Sequence, residues 1–397
     1  MTQRIRLGVA LDGAGWHPSA WREPSARPAE LFEPGYWVEQ AQLAEAALLD
    51  YLTIDDSLSL QSSLPFEPDG RADEVRGRLD AVLVASRIAP VTTRVGIVPV
   101  ATVTHTEPFH VSKAIATLDF VSEGRAGWQP RTSPRRDEAG HVGRREVGID
   151  RVDETTAAAI DDLFAEAADA VEVARRLWDS WEDDAEIRDV ATDRFLDAEK
   201  VHRIDFEGRW FSVRGPAIVP RPPQGQPVVA ALAHAPVAYR FAAAGADVVF
   251  TTPHDDAAAV LSEVRDAERA IGRSGDPLRV HADLVVLLDG ADESAADRLA
   301  RLDALGRPLA SDARVVAGSA AAVADAIEEL GASGFDGVRL RPAVTTDDLP
   351  RIAADLVPEL QRRGLFHHVY ETETLRGHLG LATDVPNRYA RNRSTAA

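Results

Sequence analysis

The chain has 397 residues, 45% of them hydrophobic and 27% charged, with a formal net charge of −20 and no cysteine. A chain of this size and composition can bury a large core without disulfides or metals. The missing cysteines exclude a disulfide framework, thiolate metal ligands, an iron–sulfur cluster and a thiol nucleophile, and so acidic a surface argues against non-specific binding to nucleic acid or to an anionic membrane.

The N-terminal MTQRIRLGVALDGAGW has a short apolar run interrupted by polar residues, unlike a signal peptide. No stretch approaches the roughly 20 apolar residues of a membrane span. A cytoplasmic protein is expected.

Taken in order, IRLGVAL (5–11) reads as a buried strand closed by Asp12-Gly13, and the helical spacing of 34–49 follows it. DYLTIDD (50–56) is a second strand, a polar loop follows, and then a helix from about 80 and a third strand, RVGIVPVAT (94–102). A helix opening at Pro108 leads to RAGWQPR (125–131), the fourth strand. An irregular, Arg-, Gly- and Asp-rich region covers about 131–160, and a strong helix covers 161–182. The remaining strands are expected in 223–233, 247–252, 278–288 and 334–343, with a helix-rich excursion after the seventh and a fraying tail beyond about 380.

Eight apolar strands, each followed by a helix, point to an α/β protein with a (β/α)8 barrel and insertions after strands 2, 4 and 7. A doubly wound sheet is less consistent, because no strand runs into a GxGxxG turn. The chain reads as a single barrel domain over 1–397, with 131–160 as a lid. In such a barrel the chemistry sits on the loops after the strands. The unusual residues fall there: GWHPSAWR (15–22), Asp55-Asp56-Ser57, ATVTHTEP (101–108), WQPRTS (128–133) and ALAHAP (231–236).

Five blocks carry a resemblance. HPSAWR (17–22), TEPFHVSKAIATLDFVSEGRAGW (106–128), RRLWDSW (175–181), GPAIVPRPPQGQPVV (215–229) and LRGHLGLATDVP (375–386) occur in this order along the chain. They resemble the bacterial-luciferase-like, flavin-dependent monooxygenases, in particular the nitrilotriacetate and desulfurisation branch. The resemblance implies a TIM-type barrel, reduced FMN from a separate flavin reductase, oxygen and a small organic substrate, in a dimer or tetramer.

It also implies roles for named residues. Asp56 is the candidate for an aspartate beside the flavin, with Asp55 equally able to cap the loop. Thr102, Thr104 and His105 lie in a segment whose hydroxyls and amides can meet the isoalloxazine edge or serve the next helix. Trp128 offers a flat wall or a core side chain. Gln129 replaces an asparagine whose amide can be donor and acceptor to the pyrimidine edge. Ser133 matches the branch, and Arg131 stands at an apolar position and favours an anion. His17, His105 and His141 are the candidate proton carriers.

Two departures concern the flavin phosphate. AALAHA (230–235) lacks the serine of the branch's QAGxS element, and Phe164 stands where a tyrosine is usual. His234, Arg131 or the helix N-terminus after strand 5 would have to replace them. Two alternatives follow: a deazaflavin-dependent hydride-transfer enzyme, or a non-catalytic barrel that has lost its flavin. Metal-ligand spacings, a GxSxG elbow and a P-loop are not found.

Overall fold

The computed structural model describes residues 4–143, 145–254 and 256–390. Eight strands form its centre: β1 (Arg6–Leu11), β2 (Tyr51–Ile54), β3 (Gly96–Thr102), β4 (Gly127–Arg131), β5 (Val228–Leu232), β6 (Val248–Thr251), β7 (Arg279–Leu288) and β8 (Gly337–Pro342). Each pairs in parallel with the next, and β8 returns to β1 from Arg6↔Gly337 to Val9↔Leu340, so the sheet closes. All eight coincide with the apolar runs of the sequence, and the closed parallel barrel is the expected one. The runs are unbroken because both faces are covered. Leu52, Ile54, Ile97, Val229 and Val249 face the outer core, whereas Tyr51, Val98, Val228, Ala230, Val248 and Phe250 fill the interior.

The helices that matter for the site are α1 (Pro34–Ala46), α2 (Ala81–Ile88), α3 (Pro108–Val121), α4 (Arg136–Val142), α5 (Ala157–Trp178), α6 (Pro236–Gly245), α7 (Ala257–Ile271) and α8 (Ala295–Ala304). Long connections follow β2, β4 and β7. The last holds more than helices. A ninth strand, Arg314–Gly318, pairs with Leu284–Leu288 of β7. β6 covers β7 only from Arg279 to Ala282, so the upper half of that ten-residue strand needs another backbone partner.

Of the blocks behind the family resemblance, HPSAWR (17–22) lies after β1 at the carboxyl end, whereas parts of the 106–128, 215–229 and 375–386 blocks meet at the opposite, amino-terminal end of the barrel. Leu375, Leu379 and Leu381 plug that end against Tyr51, Val98 and Val228. Gly127 is glycine because Leu375 presses there: a Cβ would meet Leu375 Cδ2 and Val98 Cγ2, both at 2.9 Å. Gly124 ends α3 at φ +87°, with its N–H on the Asp119 carbonyl at 2.9 Å. Buried Asp119 accepts from the Gln224 backbone N–H (3.0 Å) and from Gln224 Nε2 (2.6 Å), while Gln224 Oε1 accepts from the N–H of Arg376 (2.9 Å). Arg125 is buried and donates to the carbonyls of Ala89, Thr92, Val95 and Ser122.

Residues 381–390, expected to fray, are held down. Asn387 Nδ2 donates to the carbonyls of Asp179 (2.9 Å) and Trp181 (2.8 Å). The rest of the predicted tail, 391–397, lies outside the described residues.

Candidate active site

A cleft of about 340 Å³ opens at the carboxyl ends of the strands, between the loops after β1, β2 and β4. Five arginines line it, Arg76, Arg78, Arg131, Arg135 and Arg307, with Asp12, Asp55 and Glu74. Each arginine has a carboxylate partner: Asp69, Asp12 with Asp55, Glu138, Asp137 and Glu74 respectively. The cleft is therefore dense in charge and hydrogen-bond donors without being a bare cationic hole.

Arg78 bridges Asp55 (2.9 Å) and Asp12 (3.2 Å) and donates to Ser57 Oγ at 2.9 Å. Burial pushes the Asp12 carboxyl up, the nearby Asp55 charge adds to this, and Arg78 opposes both. Arg131 Nη1 lies 3.2 Å from Glu138 on α4, with 30% of the arginine side chain exposed. Burial opposes a charge on Glu138, but Arg131, Ser133 and Ser59 outweigh it and hold the carboxyl below its ordinary range.

Below the cleft lies a buried polar layer. Arg339 forks onto Asp283, Nε to Oδ1 at 2.7 Å and Nη2 to Oδ2 at 2.6 Å, and its Nη1 donates to Gln129 Oε1 at 2.9 Å. Arg341 also donates to Asp283 and pairs with Asp312 at 2.7 Å. The two guanidiniums stack on aromatic faces, Arg339 over Phe250 (3.9 Å) and Arg341 over Trp16 (4.5 Å).

The structure brings Thr102, Gln129 and Arg131 to this mouth on β3 and β4, where Arg131 Nη1 is 3.5 Å from Thr102 Oγ1. Thr104 and Ser133 are fully buried and join the two following loops, the Ser133 N–H donating to Thr104 Oγ1 at 3.0 Å. His105 is buried with its backbone in the left-handed region at φ +73°. His234 is exposed beyond β5, on the side of Asp312, whose carboxyl Arg341 holds below its ordinary range against the opposing effect of burial.

Three placements, those of Asp56, His17 and His141, differ from the sequence reading, and a fourth, Trp128, falls to the core alternative. Asp56 sits on the outer side of β2: Oδ2 accepts from the Ala81 N–H at the start of α2 (2.9 Å) and Oδ1 from the Ser57 N–H (2.7 Å), while Asp55 lines the cleft. Trp128 is fully buried outside the barrel, edge-on to Trp178 of α5 at 6.4 Å, so it is a core side chain. His17 lines the cleft, but both ring nitrogens are engaged, Nδ1 by the Ser19 N–H (2.9 Å) and Nε2 by Asp303 of α8 (3.0 Å). Burial holds its imidazole below the ordinary histidine range, so it is a neutral clip. His141 is exposed on α4.

Sequence reasoning missed Asp12, Arg78, Asp283, Arg339 and Arg341. A signal was there: charges interrupt otherwise apolar strands in RVHADLVVLL and GVRLRP, and two-residue spacing puts Arg339 and Arg341 on one face.

The profile of the luciferase-like monooxygenase family matches residues 14–334. The chain belongs to the luciferase-like monooxygenase family. It is similar to nitrilotriacetate monooxygenase component A of Aminobacter aminovorans, at 30% identity over 96% of this chain and 97% of the relative. It is also similar to N-acetyl-S-(2-succino)cysteine monooxygenase of Bacillus subtilis, at 29% identity over 98% and 99%. Among solved structures, long-chain alkane monooxygenase superposes with a TM-score of 0.84 at 24% identity, over 96% of both chains. This luciferase-like monooxygenase is thus a flavin-dependent oxidoreductase acting on a small organic substrate.

The residues present fit a flavin. Its ring needs hydrogen-bonding groups along one edge and its phosphate needs cations. Gln129 and the arginine-lined cleft supply both kinds of donor. The serine and tyrosine that the resemblance implies near the phosphate are absent: Ala235 caps α6 without a side-chain oxygen, and Phe164 packs on Phe241 at 5.8 Å. No helix among the described residues is long and apolar enough to cross a membrane, and no metal-binding cluster occurs among them.

Proposed function

We propose that this luciferase-like monooxygenase takes reduced FMN from a separate flavin reductase and oxygenates a small polar substrate in the arginine-lined cleft. The observation that carries the reading is this arginine-lined cleft at the carboxyl end of a barrel of this family, with Arg131 in its wall two residues along β4 from Gln129. Bound reduced flavin supplies the electrons that activate oxygen. The chain's own residues bind, orient and shield. Arg131 and its neighbours receive anionic groups, and Arg78 holds the Asp12 and Asp55 carboxyls at the cleft wall, where burial pushes the Asp12 carboxyl up against the opposing Arg78 charge. α4 closes the site from above: Glu138 ties it to Arg131 and accepts from Ser59 Oγ at 2.9 Å, so 131–160 acts as a lid that excludes water. The relatives' names agree with such a substrate, nitrilotriacetate and N-acetyl-S-(2-succino)cysteine both being rich in carboxylates.

We place the enzyme in the cytoplasm as a homo-oligomer. The test is an anaerobic titration with reduced FMN, followed by oxygen uptake with a panel of polar and apolar substrates. Binding in the micromolar range and substrate-dependent uptake are expected. Absence of binding at high micromolar concentration overturns the reading. The altered phosphate site around Ala235 and Phe164 favours one second reading, a deazaflavin in place of FMN, and tighter binding of the deazaflavin in the same titration establishes it.

A further inference from the structure

An amide side chain has two chemically opposite ends, and Arg339 decides which end of Gln129 it engages and which it leaves for another partner. A guanidinium carries five donors and no acceptor. The Gln129 atom 2.9 Å from Arg339 Nη1 is therefore its carbonyl oxygen. Reversing the amide would set N–H against N–H beside a buried cation. Arg339 cannot move to accommodate this, because it is forked onto Asp283 and stacked 3.9 Å above Phe250, with both charged side chains buried. The NH2 of Gln129 is turned away from Arg339.

The charge beneath the amide points the same way. Within the barrel Arg339 and Arg341 face one carboxylate, Asp283, while the balancing Asp312 side chain is 47% exposed. The layer below adds no charge: burial pushes His281 down to about 3 and raises Tyr51 above its ordinary value, and the two hydrogen-bond each other at 2.8 Å. A cation bonded to the carbonyl end of an amide polarises its N–H end into a stronger donor.

We propose that Arg339 is a positioning residue that holds Gln129 as a one-way hydrogen-bond donor, and that this donor selects the electron-rich, reduced form of the flavin over the oxidised form. The inference rests on the reading of this mouth as the flavin site. Gln129 then serves an acceptor atom of the ring and cannot accept from its N–H.

The test measures dissociation constants of reduced and oxidised FMN under anaerobic conditions, together with the reduction potential of the bound flavin. Wild-type protein is expected to prefer reduced FMN. Gln129→Met is expected to lower that preference about tenfold, the worth of one charge-assisted hydrogen bond. Arg339→Met combined with Asp283→Asn, which leaves no buried orphan carboxylate, is expected to lower it equally, and all three changes together no further. Effects that multiply, or a preference unchanged in the Arg339→Met/Asp283→Asn protein, overturn the proposal.

Gln129→Glu provides an arm that does not depend on that pair folding. The new carboxylate still pairs with Arg339 but offers the ring only acceptors, so the preference is expected to vanish or invert. A retained preference overturns the proposal. If wild-type protein binds both redox states equally, this inference alone fails. If it binds no flavin, the reading of the site fails with it.

Discussion

Asp55 and Asp56 are adjacent and chemically identical, yet just past the end of β2 the alternation of the strand still sends them to opposite sides. Asp56 caps the start of α2 and Asp55 meets Arg78 in the cleft. Asp56→Ala is expected to cost about 1 kcal/mol, the usual loss of an N-terminal capping bond, and to leave FMN binding intact. Asp55→Ala is expected to reverse this, with weaker FMN binding and near-normal stability; urea denaturation and a flavin titration on the same proteins check both.

Asp50 carries a pH signature. Burial pushes its carboxyl up from 3.8 to about 7, although Oδ2 accepts from the Leu7 N–H at 2.8 Å. The folded chain therefore keeps a proton that the unfolded chain releases near the ordinary carboxylate value. Its contribution to stability is complete below that value and is lost as pH rises through about 7. Asp50→Asn is expected to flatten the fall of the urea midpoint between pH 5 and 8, and an unchanged slope would mean the carboxyl titrates normally.

At the scale of elements, the most recognisable sequence blocks turn out to brace the barrel floor. Leu375 is fully buried where Gly96 and Gly127 leave room for it. Leu375→Ala is expected to destabilise by about 2–5 kcal/mol, as other buried leucine truncations do, with flavin affinity unchanged because the plug lies at the end away from the cleft. A thermal melt alongside the flavin titration decides this. The eight strands were legible because parallel strands buried on both faces read as continuous apolar runs. RVVAG (314–318) was not, because this edge strand is partly exposed and exists to cover the backbone that β7 extends past β6.

For the whole molecule, an acidic chain gathers five arginines around one cleft and offers few apolar walls there, chiefly Trp16, Leu60, Leu64 and Val75. Desolvating that many paired charges to seat a hydrocarbon is unfavourable. Carboxylated or otherwise polar substrates are expected to drive oxygen uptake and long-chain alkanes are not; turnover of an alkane at a comparable rate contradicts this reading of the cleft.

Barrel, family and flavin-dependent oxidation were determined by the sequence itself, because strand periodicity, turn residues and motif order are local and survive in one dimension. Only the tertiary structure decided which candidates retain free hydrogen-bonding capacity. His17 is engaged by Asp303 and Gln129 is oriented by Arg339, partners separated by 286 and 210 positions along the chain. A side chain's chemistry is set by the partners that saturate it, and those partners become neighbours only when the sheet closes.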